Sequence, residues 1–137
     1  MDNKELTVKH LELIQSVINR LANNSFLIKG WTITLALAFF ALIEKNVLPR
    51  NFLFVFTSAL IIFWILDSYY LKRERLFRKL FDEVASNINA KNHSDFFKMD
   101  TSSINIDFLE VLFSFPNSLI YISLLTLAFL TYCQHFI

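Results

Sequence analysis

The chain has 137 residues, about one domain in length, but 55% of it is hydrophobic against roughly 45–50% for a soluble domain. Sixteen Phe against one Gly and two Pro exclude a disordered chain, a flexible linker and a turn-rich β-sandwich. One cysteine excludes an internal disulfide framework and Cys-based zinc sites, and a net charge of +1 offers no basic field for nucleic acid.

Residues 1–25 form the first unit, an amphipathic helix that continues to residue 28. Leu11, Ile14, Ile18, Leu21, Ser25 and Ile28 alternate spacings of three and four, a heptad seam. Glu5, Lys9, Glu12, Asn19 and Arg20 lie opposite. The seam either packs on its own chain or the inner leaflet, or joins copies of the chain. No cleaved export signal is expected, since the first apolar run starts only at Phe26. No breaker precedes that run, so the helix is expected to run on into it, with Asn23-Asn24-Ser25 as the one plausible bend.

Three apolar stretches follow, at residues 26–43, 52–71 and 118–137, of 18, 20 and 20 residues. These lengths suit the roughly 17–25 residues of a membrane-crossing helix, and none carries a polar stripe. The expected fold is an all-α membrane protein, with three transmembrane helices plus cytoplasmic amphipathic helices. The first two spans make a hairpin over residues 26–71. Residues 1–29 carry four Lys and Arg, residues 72–111 carry seven, and the 44–51 connector carries two. The positive-inside rule then puts the N-terminus and residues 72–117 in the cytoplasm and the C-terminus outside. Trp31, Tyr69, Tyr70 and Tyr121 fall at the inner aromatic belt and Tyr132 at the outer.

Within these spans Asp67 stands out, because an acid at mid-membrane costs about 2.5–3.5 kcal/mol. Folding the hairpin about Leu48 sets Lys29 and Asp67 each nineteen residues away, so the two should pair on adjacent helices. The same reflection places Trp64 beside Thr32. Gly30, Thr34 and Ala38 recur every four residues, a small stripe that permits close helix approach. With Leu11, Ile14, Ile18 and Leu21 they form the candidate oligomer or helix-packing seam.

Beyond the second span a helix is expected to continue to Ile88. Phe77, Leu80, Phe81, Val84 and Ile88 share one face, and Glu74–Arg78, Arg78–Asp82 and Lys79–Glu83 are i,i+4 pairs. Residues 72–79 carry net +4 and residues 80–111 net −4. The block of Lys72, Arg73, Arg75, Arg78 and Lys79 is the candidate contact for anionic head groups. Residues 89–103 read as a loop, and Thr101-Ser102-Ser103 offers a helix start before Ile104, Phe108, Val111 and Leu112. Pro116 then restarts the helix into the third span. The unit boundaries are thus 1–25, 26–71, 72–117 and 118–137.

No catalytic residue, metal or cofactor is expected. His10, His93 and His135 are scattered, Cys133 stands alone, and no nucleophile has a local base.

The stretch IQSVINRLANNSFLIKGW (Ile14–Trp31) resembles the signature of a family of small, uncharacterised bacterial membrane proteins. LDSYYLKRERLFRKLFDEV (Leu66–Val84) and DFFKMDTS (Asp95–Ser102) extend the match. The resemblance implies a bacterial inner-membrane protein of about three spans, of a kind associated with anti-phage defence loci. No functional residue carries over with it.

Two functions compete. One is an oligomerising, membrane-perturbing effector, a homo-oligomer released by a sensing partner. The other is a non-catalytic anchor or regulator that holds a soluble protein on the cytoplasmic side through residues 72–111. A transporter or channel is disfavoured by the few polar residues in the spans. No nucleic-acid partner is expected.

Overall fold

A computed structural model describes residues 3–45, 49, 51–86 and 99–136, and every regular element among them is an α-helix. Helix α1 spans Asn3–Glu44, α2 Phe52–Ser86, α3 Phe108–Leu112 and α4 Phe115–Phe136. At 42 residues α1 is about 60 Å long, twice the roughly 30 Å hydrocarbon core of a bilayer. It continues unbroken through Asn23-Asn24-Ser25. Ile88 and most of the 89–103 loop, with His93, Phe96 and Phe97, lie outside the described residues.

Helices α1, α2 and α4 are each long and apolar enough to cross a membrane. Only 22%, 22% and 17% of their most apolar windows is buried, so most of each faces outward. Phe26, Leu37, Phe54, Ile62 and Phe129 are among the exposed side chains. A surface of that kind suits hydrocarbon, not water.

The helices pack in three layers along their length. At the connector end, Ala36, Phe39 and Ile43 of α1 meet Phe56 and Leu60 of α2 and Ala128 of α4. The Phe39 and Phe56 rings stack with centroids 3.9 Å apart. A polar layer follows, described below. At the basic end Ile14 and Ile18 of α1 close on Leu80 and Val84 of α2. Leu76, Ile106 and Val111 form an adjoining patch, and Ile104 touches both. The heptad seam is therefore filled by the chain's own α2 at Ile14 and Ile18, the first of the two destinations its spacing allowed.

The segment before α3 differs from the sequence expectation. No helix starts at Thr101-Ser102-Ser103; Ile104 N bonds to the Thr101 carbonyl in a turn, and helix begins only at Phe108. Asp107 is the cap, its carboxylate accepting from Leu109 N at 3.2 Å. The reason lies in Ile104 and Ile106. Ile106, buried, and Ile104, half-buried, pack about the exposed Asn105, and β-branched side chains favour non-helical backbone. The third long helix starts at Phe115 rather than residue 118. Pro116 sits in its first turn, where a missing N–H costs nothing. The Ser114 carbonyl accepts from Asn117 N and Ser118 N.

Candidate functional site

The polar layer is built from one face of each long helix. Ser25, Lys29 and Thr32 recur along α1 at helical spacing, Trp64, Asp67 and Ser68 share a turn of α2, and Asn117 and Tyr121 lie four apart on α4. Asp67 is 0% exposed. Lys29 Nζ lies 2.6 Å from its Oδ2 and 2.7 Å from its Oδ1. The Ser25 hydroxyl donates to Oδ1 and accepts from Lys29 Nζ at 2.8 Å. From α4 the Tyr121 hydroxyl donates to Oδ2 at 3.0 Å. Both carboxylate oxygens are thus answered by charge or hydroxyl, which a buried acid requires.

A second set of bonds continues toward the end of α4. Asn117 Nδ2 donates to Ser68 Oγ at 2.8 Å, and Ser68 Oγ donates to its own helix at the Trp64 carbonyl, 2.7 Å. The Trp64 indole N–H donates to the Leu112 carbonyl at 3.1 Å, satisfying an end group of α3. Its ring stacks on Tyr121 and meets Phe113 edge-on. Trp64 therefore serves α3 and α4. Thr32, fully buried, bonds to the Ile28 carbonyl.

Chemically this is a lock. A Ser–Lys contact of 2.8 Å can signal a nucleophile with its base, but here the direction is reversed. Ser25 donates a hydrogen bond to Asp67 and accepts one from Lys29, so the three side chains tie α1 to α2. Among the described residues no cluster of three or more His, Cys, Asp or Glu side chains is placed to hold a metal ion.

The sequence pairs Lys29 with Asp67, and the structure places them in contact. Ser25, Ser68, Asn117 and Tyr121 are partners the spacing did not name. Ser25 had a signal, being one turn from Lys29 on the same face. Tyr121 did not. It was expected at the aromatic belt but is 0% exposed, because its hydroxyl has a buried acid to reach.

The other candidate residues separate into two surfaces. Leu11 and Leu21 are half-buried beside Ile14 and Ile18, whereas Gly30, Thr34 and Ala38 are exposed. A Cβ added at Gly30 would meet nothing within 4 Å, so the small stripe is open to the outside. In the basic block Arg78 is held by Glu74 at 2.7 Å and Arg73 lies over the Tyr69 ring, bonding its hydroxyl at 3.3 Å. Lys72 and Arg75 are half-buried and Lys79 is exposed.

Comparison with protein-family profiles, with curated proteins and with solved structures finds no match for the chain.

Proposed function

We propose that this chain is a three-span protein of a bacterial inner membrane, with a cytoplasmic N-terminus and a periplasmic C-terminus. In this reading it acts without catalysis, as an oligomerising effector that perturbs the membrane. One observation carries it. The Gly30–Thr34–Ala38 stripe of α1 faces outward with open space beside Gly30, while the Ile14–Ile18 seam is taken up inside the chain. Self-association then belongs to the bilayer part of α1, where small residues let helices approach closely. Lys72 and Arg73, at the membrane end of the basic block, favour anionic head groups on the cytoplasmic face. The resemblance of Ile14–Trp31 to small bacterial membrane proteins supports a setting in anti-phage defence.

The second reading is a membrane anchor or regulator with a soluble partner. What favours it is the folded headpiece of Ile14, Ile18, Leu80 and Val84, built well beyond the apolar windows. A groove lined by Val8, Leu11, Gln15, Asn19 and Phe81 opens on its surface.

Gly30→Leu separates the two. An effector loses assembly and growth inhibition without losing insertion, because Leu is more lipid-compatible than Gly. An anchor tolerates the change. The readouts are the size of the purified complex and a membrane-potential dye after induced expression. A monomer that leaves the potential intact, with its genomic neighbours present, rejects the effector.

A further inference from the structure

Between α2 and the segment leading into α3 lies a cleft of about 330 Å³. That size is within the roughly 300–1,000 Å³ of small-molecule sites. Arg75, Arg78 and Lys79 line one wall and Asn105, Asp107 and Glu110 the other. Arg78 is already answered by Glu74. The remaining lining sets two cations, Arg75 and Lys79, against two carboxylates, Asp107 and Glu110. Among the described residues no ion pair joins the two walls. Asp107 uses one oxygen to cap α3 and keeps the other.

The cleft also has a depth. Leu109, Phe113 and Phe115 are 58%, 62% and 79% exposed, and Phe115 opens the apolar helix α4. Less than two helical turns separate Phe113 from Asp107. Phe113 also meets Trp64, which lies within the apolar stretch of α2. Apolar side chains facing outward on one side and a charged cleft on the other mark a bilayer's hydrocarbon boundary, with the cleft at head-group level.

We propose that this cleft binds a zwitterionic phospholipid head group carrying a primary ammonium, as in phosphatidylethanolamine. Arg75 and Lys79 take the phosphate and Glu110, with the free oxygen of Asp107, takes the ammonium. A balanced pair of walls disfavours a purely anionic head group, which would leave the carboxylates facing a like charge. A quaternary ammonium, having no N–H, makes no hydrogen bond to them. The inference rests on reading the three helices as spans, but not on any effector role.

The test uses the full chain purified from the membrane fraction in detergent. It is titrated by native mass spectrometry with phosphatidylethanolamine, phosphatidylcholine and phosphatidylglycerol of identical acyl chains. Phosphatidylethanolamine should be retained roughly tenfold more tightly than either other lipid, the worth of one charge-assisted hydrogen bond. Glu110→Gln should bring it down to the phosphatidylcholine level, and Arg75→Gln should weaken all three. Equal retention of the three lipids, preference for phosphatidylglycerol, or an ethanolamine preference untouched by Glu110→Gln overturns the proposal. Recovery from the membrane fraction, read in the same preparation, tests the spans separately.

Discussion

The Tyr121 hydroxyl donates to Asp67 at 3.0 Å, and through that bond α4 joins the ion pair that α1 and α2 make between themselves. A hydrogen bond to a charged acceptor contributes about 1.5–3 kcal/mol. Tyr121→Phe keeps the ring stacked on Trp64 and removes the hydroxyl that bonds Asp67. It should lower the unfolding free energy in detergent by an amount in that range. A wild-type unfolding midpoint would show that this bond contributes nothing to holding α4.

Lys29 and Asp67 should not be equivalent on substitution. Lys29 is 22% exposed and has a long stem that can carry its charge to the interface, whereas Asp67 is 0% exposed. Lys29→Ala leaves the acid with only the hydroxyls of Ser25 and Tyr121, and should approach the roughly 3–5 kcal/mol of a broken buried pair. Asp67→Ala should cost less, and the double variant should recover part of the loss. Strictly additive effects in this double-mutant cycle would reject the coupling.

The hairpin register was legible because it is symmetric. Lys29 and Asp67, and Phe39 and Phe56, lie at nearly equal separations from position 48, so one reflection places contacts in two layers. The three long apolar helices were legible because a window of apolar residues needs no partner to be recognised. The docking of α4 was not. Its contacts are Leu124, Leu125 and Ala128 in an apolar layer and two polar residues, Asn117 and Tyr121, whose types also suit an interface. The seam at Ile14 and Ile18 was legible as a buried face, but spacing alone does not say whose residues bury it.

Trp64 links an apolar span to the end of α3. Trp64→Phe would keep most of the stacking on Tyr121 but leave the Leu112 carbonyl without its indole donor. An unsatisfied acceptor costs about 1–3 kcal/mol when buried. The loss should be local, so amide exchange should accelerate over residues 108–115 while the Ile14–Val84 layer keeps its protection. Uniform acceleration through α1 would place the role of Trp64 elsewhere.

The charge asymmetry makes a topological prediction. Lys and Arg number four in residues 1–29 and seven in 72–111, against two in the connector. A periplasm-active reporter fused after Ile137 should be active, and one fused at Asn92 should be silent. Narrowing the connector's disadvantage by adding four Lys around Lys45 should lower the Ile137 signal. Activity at Asn92 in the unaltered chain would invert the orientation.

Ile14 is 0% exposed and Val84 1% exposed, both within a single copy of the chain. If that layer is internal, its disruption is a folding defect and does not depend on protein concentration. Ile14→Ala should destabilise the headpiece by about 2–5 kcal/mol, the range for large core truncations. The same should hold at high dilution, where an interface between copies has already dissociated. A direct assignment comes from Ile14→Cys with Val84→Cys, in a Cys133→Ser background, treated with a short bis-maleimide. An internal layer gives a cross-linked species at monomer mass, recognised after proteolysis by joined α1 and α2 fragments. A dimer band would move the seam to the boundary between copies and restore it as the surface on which the protein assembles.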